Sequence, residues 1–467
     1  MPEIQLTGDR KKIHFVGIGG SGMGPLAHML MDMGLRVSGS DRQRSEMTDS
    51  LLHRGAEVHI GHDAAFVDSA DVVVVSTAVA PDNPEVVGAR QRGIPVVHRS
   101  ELLAAIMSGK KSIAVTGTHG KTTTTAMVAM ALRGAGLDPS AVVGGVVAAF
   151  GGGAFLGRDP YIVVEADESD RSFLNLKKDI AVATNIDNDH LDHWGTMEEL
   201  CDGFVEFLST TSADGFAVLG IDNAYLAAVA PRLRGRLVTF GLDPGAEVHP
   251  GEVAVLSWGS QSEIYWHGRK QGILHLAIPG RHNIQNALAA LAVGFEMGLP
   301  FDAMAESLAT FRGVGRRQEV LGVAAGVTVV ADYGHHPTEV KATVEAIKPN
   351  VRGRLVVVFQ PHRYTRTLLT GRDFPAAFAS ADLVLVTDIY SAGEPPIPGV
   401  SSAIIVEELA RRGHPPYLYV PSVADVPRAL VGQLRPGDTV VLQGAGDVNR
   451  AGSELLRLLN AEAGEPG

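Results

Sequence analysis

Twice within its first 125 residues the chain runs from an apolar stretch of strand length into glycines and on into a helical pattern. These passages are IHFVGIGGSGMG at 13–24 and SIAVTGTHGKTTTT at 112–125. Such a turn sets backbone N–H groups and a helix N-terminus at the carboxyl end of a strand, a geometry suited to anions. It commits the chain to α/β architecture with helices packed over parallel strands. A third strand–glycine–helix passage, VLQGAGDVNR at 441–450, reads as turn geometry rather than a ligand loop.

Between these turns β-branched runs alternate with helical patterns from end to end. Strands are expected at 12–16, 36–40, 71–76 and 95–98, with a helix at 25–33 stopped by Gly34. The stretch 214–279 is irregular and strand-rich. A helix pair follows at 286–297 and 301–311, then strands at 328–332, 354–360, 383–387 and 439–443. MSGKKS and RGVGRRQE look like linkers, so we expect three α/β domains: 1–108, 109–313 and 314–467. The methionines at 23, 29, 31 and 33 and the single cysteine, Cys201, read as core filler. One cysteine allows no intrachain disulfide and no multi-cysteine metal site. A formal net charge of −12 argues against a nonspecific grip on nucleic acid or an anionic membrane. With no apolar leader in MPEIQLTGDRKK and no run of eighteen apolar residues, the expectation is a cytoplasmic protein without membrane insertion.

The first turn spaces Gly17, Gly19 and Gly22 as G-x-G-x-x-G, and Asp41 lies nineteen residues beyond. Taken alone, this fits an NAD site with Asp41 on the ribose. The second turn is more specific. In GTHGKTT, residues Gly117, Thr118, His119, Gly120, Lys121, Thr122 and Thr123 form a phosphate-binding loop, although the strict pattern wants glycine where this chain has Val115. Lys121 would reach the β- and γ-phosphates of ATP, and the Thr122 hydroxyl would coordinate Mg²⁺. The strand YIVVE ends in Glu165, where a P-loop enzyme places a metal-binding acid. Helix capping is the alternative for Glu165 and the favoured role for Asp170. His190, just past another apolar strand in AVATNIDNDHLDHWG, would hold a second Mg²⁺ or touch substrate; a solvated loop residue is the plain alternative.

GTHGKTTTT, EADESD, TNIDNDHLD, HNIQNALAA, DYGHHPTEV and FQPHRYTRT occur here in the order found in the muramyl (Mur) amino-acid ligases, which the chain resembles from about residue 11 to 450. The resemblance implies a Rossmann-like UDP-binding domain, a central P-loop ATPase-like sheet with a smaller strand-rich part, and a Rossmann-like closing domain. It implies ATP-driven amide formation between the lactyl carboxylate of UDP-N-acetylmuramic acid and L-alanine through an acyl phosphate, with two Mg²⁺ ions. On the UDP-sugar it places Gly19, Gly20, Ser21, Gly22 and Met23, with Asp41 and His62 toward the uridine. His282, Asn283 and Asn286 fall near the adenine, with Asn283 as helix cap the plain alternative. Arg316 and Arg317 would reach the phosphates, and Asp332 the ATP ribose. Tyr333, His335, His362, Arg363 and Arg366 would form the amino-acid pocket. His335 and Arg363 stand there beside the chemistry, because a histidine takes the amine proton and an arginine pairs bidentately with a carboxylate. His336 reads as structural. The resemblance leaves the protein a monomer or weak homodimer.

Two departures matter. Relatives commonly read Asp-Asp-Tyr-Gly, but this chain has Ala331 before Asp332. Sister ligases use a carbamylated lysine after the His190 region, and no lysine stands here between Lys178 and Lys270. Three other readings remain at this point. An NAD-dependent oxidoreductase leaves GTHGKTT idle, a non-catalytic nucleotide switch leaves the arginine cluster idle, and a ligase adding a ready-made tripeptide differs only in pocket size.

Overall fold

The computed structural model describes residues 11–189, 191–256 and 258–463. Three sheets form three α/β domains. In the first, Lys12–Val16, Arg36–Asp41, Glu57–Ile60, Val72–Val75 and Val96–His98 all pair parallel, in spatial order third, second, first, fourth, fifth. The order reverses beside the first strand, so its carboxyl end opens into the crevice where doubly wound sheets bind ligands. The first glycine turn lies there.

The central sheet has ten strands. Its parallel core runs Ser140–Val147, Tyr161–Glu165, Lys111–Thr116, Lys178–Ala183, Thr211–Gly220, Arg236–Phe240. Gly152–Phe155 closes one edge antiparallel, and Val248–Leu256, Gly259–Trp266 and Arg269–Leu276 extend the other. The third sheet runs Glu319–Ala324, Val327–Asp332, Thr439–Gln443, Leu355–Phe359, Leu383–Val386, Tyr417–Tyr419, parallel apart from the hairpin of its first two strands. The strands of its centre are buried on both faces, which is why they read as unbroken apolar runs.

The chain folds as two compact units, the first carrying the first two sheets and the second the third sheet. Within the first unit, the helix Gly24–Asp32 packs on the strands Ser140–Val147 and Gly152–Phe155. Gly153 permits this approach: a Cβ there would come within 2.8 Å of Pro25 Cγ. The helix that leaves the first glycine turn is thus anchored on the central sheet. Met23 and Met29 are buried in the core, and Met31, Met33 and Cys201 pack partly buried against it. Among the described residues no helix is long and apolar enough to cross a membrane.

Candidate active site

The second glycine turn carries the densest chemistry. Gly120 adopts a left-handed conformation (φ +80°) at the start of the helix Lys121–Gly134, turning the backbone so that Lys121 folds over the loop. Lys121 Nζ donates to Gly117 O at 2.7 Å and Thr118 O at 3.2 Å, and stands 3.0 and 2.9 Å from the two oxygens of Glu168. Burial opposes its charge, but the carboxylates of Glu168 and Asp167 outweigh burial and hold the ammonium well above the usual lysine range. Burial also pushes the Glu168 carboxyl up, Lys121 pulls it back, and neighbouring Asp167 adds to the rise.

Glu165 is no helix cap. Its Oε2 accepts from Gly144 N at 2.7 Å and its Oε1 from the Thr122 hydroxyl at 3.1 Å. Two oxygens about 3 Å apart match adjacent corners of an octahedron with metal–oxygen bonds of about 2.1 Å, so this pair suits Mg²⁺. Asp170 instead braces its own turn, accepting from Ser172 N at 3.0 Å. Aromatic packing holds the acid segment in place. Trp194 Nε1 donates to Glu168 O at 2.9 Å, and Phe173 stacks on Phe207 and meets Trp194 edge-on. Asn185 and Asp187 clamp the loop from the next strand end. His119 N donates to Asn185 Oδ1 at 2.8 Å, His119 Nε2 lies 2.9 Å from Asp187 Oδ2, and Asp187 N donates to Thr118 Oγ1. His190 lies outside the described residues. Asn286 closes on the same loop, its Oδ1 accepting from Thr124 Oγ1 at 3.1 Å.

At the first turn, Gly17 N and Ile18 N donate to Ser40 O, and Gly19 N donates to Asp41 Oδ2 at 2.9 Å. Asp41 therefore braces the loop from the end of the neighbouring strand, with Gln43 N donating to its Oδ1 at 3.2 Å. Gly20, Ser21 and Gly22 continue the turn into buried Met23. His62 Nδ1 lies 2.6 Å from Glu85 Oε1, and Glu85 also takes Ser40 Oγ at 2.7 Å and His14 Nε2 at 2.6 Å. His62 is thus oriented by a fully buried carboxylate behind the loop.

The second unit holds the remaining candidates. Asp332 Oδ1 accepts from Gly334 N, Thr343 Oγ1 and Gln443 Nε2, and its Oδ2 from Gln318 N. A carboxylate accepts about four hydrogen bonds. Asp332 is thus held by four protein donors, three of them on Oδ1 and one on Oδ2. Arg316 Nη2 donates to Gly444 O and Gly446 O, both at 2.8 Å, tying the late glycine turn in place. That supports turn geometry for VLQGAGDVNR. The guanidiniums of Arg316 and Arg317 each stand 5.0 Å from the Tyr333 ring centre, and Arg317 Nη1 reaches Glu339 at 3.5 Å. His282 lies beside Gln318, with burial and then Arg317 pushing it down to about 4. Asn283 is not a cap, because the helix Arg281–Glu296 begins two residues earlier and Asn283 Nδ2 donates back to Pro279 O.

Tyr333, His335, His362 and Tyr390 form a chain of rings with centres 5.4–5.7 Å apart. His335 Nδ1 lies 3.0 Å from Tyr333 O, and Arg366 Nη1 lies 3.3 Å from His362 Nδ1. Arg363 sits at φ +68°, a conformation costly for a side-chain-bearing residue, with Nε 3.9 Å from Glu394. His336 caps the helix Pro337–Ile347 in a reciprocal pair with Glu339, as expected of a structural residue. Residues absent from the sequence argument but central here are Glu168, Asp187, Tyr390 and Glu394. The first two lie inside motifs already noticed; the last two carried no local signal.

Comparison with known proteins agrees with this geometry. Residues 12–111 match the Mur ligase family catalytic domain, 115–294 the Mur ligase middle domain, and 316–446 the Mur ligase glutamate ligase domain. The chain is 48% identical over 450 residues to a UDP-N-acetylmuramate–L-alanine ligase of Anaeromyxobacter sp. (strain Fw109-5), covering 96% of this chain and 98% of that one. It is 46% identical over 454 residues to the enzyme of that name from Geotalea daltonii, covering 97% and 99%. Among solved structures it is similar to the UDP-N-acetylmuramate-alanine ligase of Thermotoga maritima, with TM-score 0.85, 28% identity, and coverage of 97% and 99%. A murein peptide ligase from Psychrobacter arcticus shares the fold, with TM-score 0.74, 22% identity, and coverage of 96% and 99%. Three matched domains in order, and near-complete overlap with these relatives, establish that the chain belongs to the Mur ligase family.

Proposed function

We propose that the protein joins L-alanine to UDP-N-acetylmuramic acid at the expense of ATP, in the synthesis of a peptidoglycan precursor. The observation that carries this is the pairing of Thr122, beside Lys121 on the second glycine turn, with Glu165 at the adjoining strand end, in a chain so similar to ligases named for that reaction. The domain boundaries fall near 108 and 314. The first turn, Gly19–Met23, holds the UDP diphosphate, and His62 faces the uridine. The second turn holds ATP, with Asn286 against it and His282, Asn283 and Arg317 contributing at the adenine and phosphates.

A lactyl carboxylate is a poor electrophile. One of its oxygens attacks the γ-phosphorus, the bond to ADP breaks, and an acyl phosphate results. The alanine amine then attacks the acyl carbon, forming C–N as phosphate leaves with the C–O electron pair and the amine gives up a proton. Lys121 offsets the repulsion between carboxylate and phosphate, and must exchange Glu168 for phosphate oxygens to do so. Thr122 and Glu165 would hold Mg²⁺, which supplies charge neutralisation at the phosphates, with His190 the candidate for a second ion. Tyr333, His335, His362, Arg363 and Arg366 receive the amino acid, an arginine fork pairing with its carboxylate. Asp332 serves the ATP ribose and Arg316 stands with Arg317 toward the phosphates, both also bracing that domain's loops.

The test is phosphate release from Mg-ATP with UDP-N-acetylmuramic acid, adding alanine, glycine, serine or a ready-made tripeptide in turn. Stimulation by L-alanine is expected. Stimulation by the tripeptide alone would sink the alanine assignment in favour of a peptide ligase, and submillimolar NAD binding would reopen the oxidoreductase.

A further inference from the structure

Arg99 opens the helix Arg99–Met107 and belongs to none of the motifs above. Its guanidinium lies between the first glycine turn and the acid segment that follows the strand Tyr161–Glu165. On the side of the central sheet, Nη2 donates to Asp167 Oδ2 at 2.6 Å and stands 4.0 Å from Asp170. On the other side it lies against Gly22: a Cβ built there would come 3.1 Å from Nη1 and 3.6 Å from Cδ and Cζ. Its hydrogen bond among the described residues is made through Nη2 alone, and the side chain is 18% exposed. Nη1 is left facing the turn. Neighbouring contacts fix the same seam, with Asn175 Nδ2 donating to Ser100 Oγ at 3.2 Å and His98 Nε2 3.7 Å from Asp170. Asp167 in turn belongs to the charge cluster of Lys121. Burial opposes the Asp167 charge, and Arg99 first and Lys121 second overcome it, holding the carboxyl well below its usual range.

A guanidinium with one edge ion-paired and the other open over a diphosphate-binding turn is equipped to bind two anions at once. We propose that Arg99 binds an anionic oxygen of the UDP-sugar through Nη1 while Nη2 keeps Asp167, so that one side chain joins the occupied sugar loop to the acid segment of the ATP loop. Glycine at 22 leaves the guanidinium room to lie against the turn, since a Cβ there would press on Nη1 at 3.1 Å. The proposal rests on the assignment of the UDP diphosphate to the first turn.

Calorimetric titration of the full chain tests both layers, with UDP-N-acetylmuramic acid and with Mg-ADP as separate probes. Arg99→Ala should weaken UDP-sugar binding by about 10- to 100-fold, the worth of a charge-assisted hydrogen bond, and change ADP binding by less than about twofold. Arg99→Lys keeps the charge but cannot span both anions, so its loss for the UDP-sugar should be intermediate. A merely structural arginine would weaken both ligands together or lower the melting temperature without selectivity. Wild-type affinity for the UDP-sugar in a folded Arg99→Ala or Arg99→Lys protein overturns the proposal. Asp167→Asn separates the two edges: UDP-sugar affinity should stay within about threefold, while any gain in ADP affinity produced by bound UDP-sugar should shrink toward none. An undiminished gain overturns the coupling. If wild-type protein binds ADP but no UDP-sugar, the assignment of the first turn fails and takes the proposal with it.

Discussion

Lys121 and Lys178 lie at opposite ends of one parallel sheet, and their surroundings differ in kind. Lys121 follows the carboxyl end of Lys111–Thr116, and Lys178 begins the neighbouring strand Lys178–Ala183, so it sits at the amino end. Both are nearly out of water, with side-chain exposure of 14% for Lys121 and residue exposure of 3% for Lys178. Lys121 is ringed by the carboxylates of Glu165, Asp167 and Glu168, which hold its proton. Lys178 Nζ donates to Thr210 Oγ1 at 2.7 Å and Leu176 O at 3.3 Å and lies 3.9 Å over the Phe207 ring, and burial drives it down to about 7. The carboxyl end gathers charge because strand-ending acids and glycine turns converge there; the amino end is built for packing. What separates the two buried lysines is therefore the company of carboxylates, not burial.

The comparison breaks first at Lys121. Lys121→Ala should cut turnover by about 10³-fold or more while leaving UDP-sugar affinity within about threefold, because its work is at developing phosphate charge. Steady-state rates and calorimetry check this, and a lost UDP-sugar site would mean the two ends of the unit are not assigned correctly. Glu165→Gln should cost about 10²-fold and raise the Mg²⁺ concentration needed for half-maximal rate. An unchanged Mg²⁺ dependence would remove Glu165 from the metal site.

Two glycines sharpen the contrast. A Cβ on Gly117, at φ +136°, would lie 2.0 Å from Thr184 Oγ1 and 3.1 Å from the Asn185 backbone, so the loop has to move. Gly117→Ala should abolish measurable ADP binding. At the amino end, a Cβ on Gly215 would lie 1.9 Å from Asp179 O. Gly215→Ala should cost about 1–3 kcal/mol of stability, the usual toll of overpacking, with ADP affinity in the surviving fold unchanged. Denaturant titration with ADP calorimetry distinguishes them; equal loss of ADP binding in both would erase the functional difference between the ends.

Much of this was legible in advance where one physical cause dominates a short segment. Thr439–Gln443 is expected at those residues and found at them, because a strand buried on both faces is a plain apolar run. Glu57–Ile60 escaped notice because an edge strand reading EVHI, with exposed ends, lacks such a run. The GTHGKTT turn announces itself as a candidate phosphate loop through glycine, lysine and threonine spacing. Its lysine's partner does not, since nothing local separates Glu168 from the other acids of EADESD. Asp332 shows the same limit from the other side. Its four donors come from residues 318, 334, 343 and 443, and only folding brings them to the carboxylate.

The smallest effect is the most specific to the amino end. Lys178 has a folded-state pKa of about 7 against an ordinary lysine value of 10.5, so the unfolded chain binds the extra proton between those limits. Stability contributed at this site is therefore fully present above about pH 10.4, falls as pH drops through the window, and levels off below about pH 7. The slope is bounded at about 1.4 kcal/mol per pH unit. Lys178→Met keeps the contact with Phe207 and removes the titration. The Thr210 hydroxyl is not stranded, because its one proton is shared between Glu206 O and Phe207 O, both at 3.0 Å. The variant should thus gain most over wild type near pH 7, on the order of 1–2 kcal/mol after losing the ammonium's hydrogen bonds, and the gain should close by pH 10. Turnover should stay within about twofold throughout, since the site lies at the end of the sheet away from the charge cluster. Urea denaturation of both proteins at intervals from pH 6 to 10 decides it: parallel stability curves would mean that Lys178 keeps its proton when buried, and that the two ends differ less than their neighbours suggest.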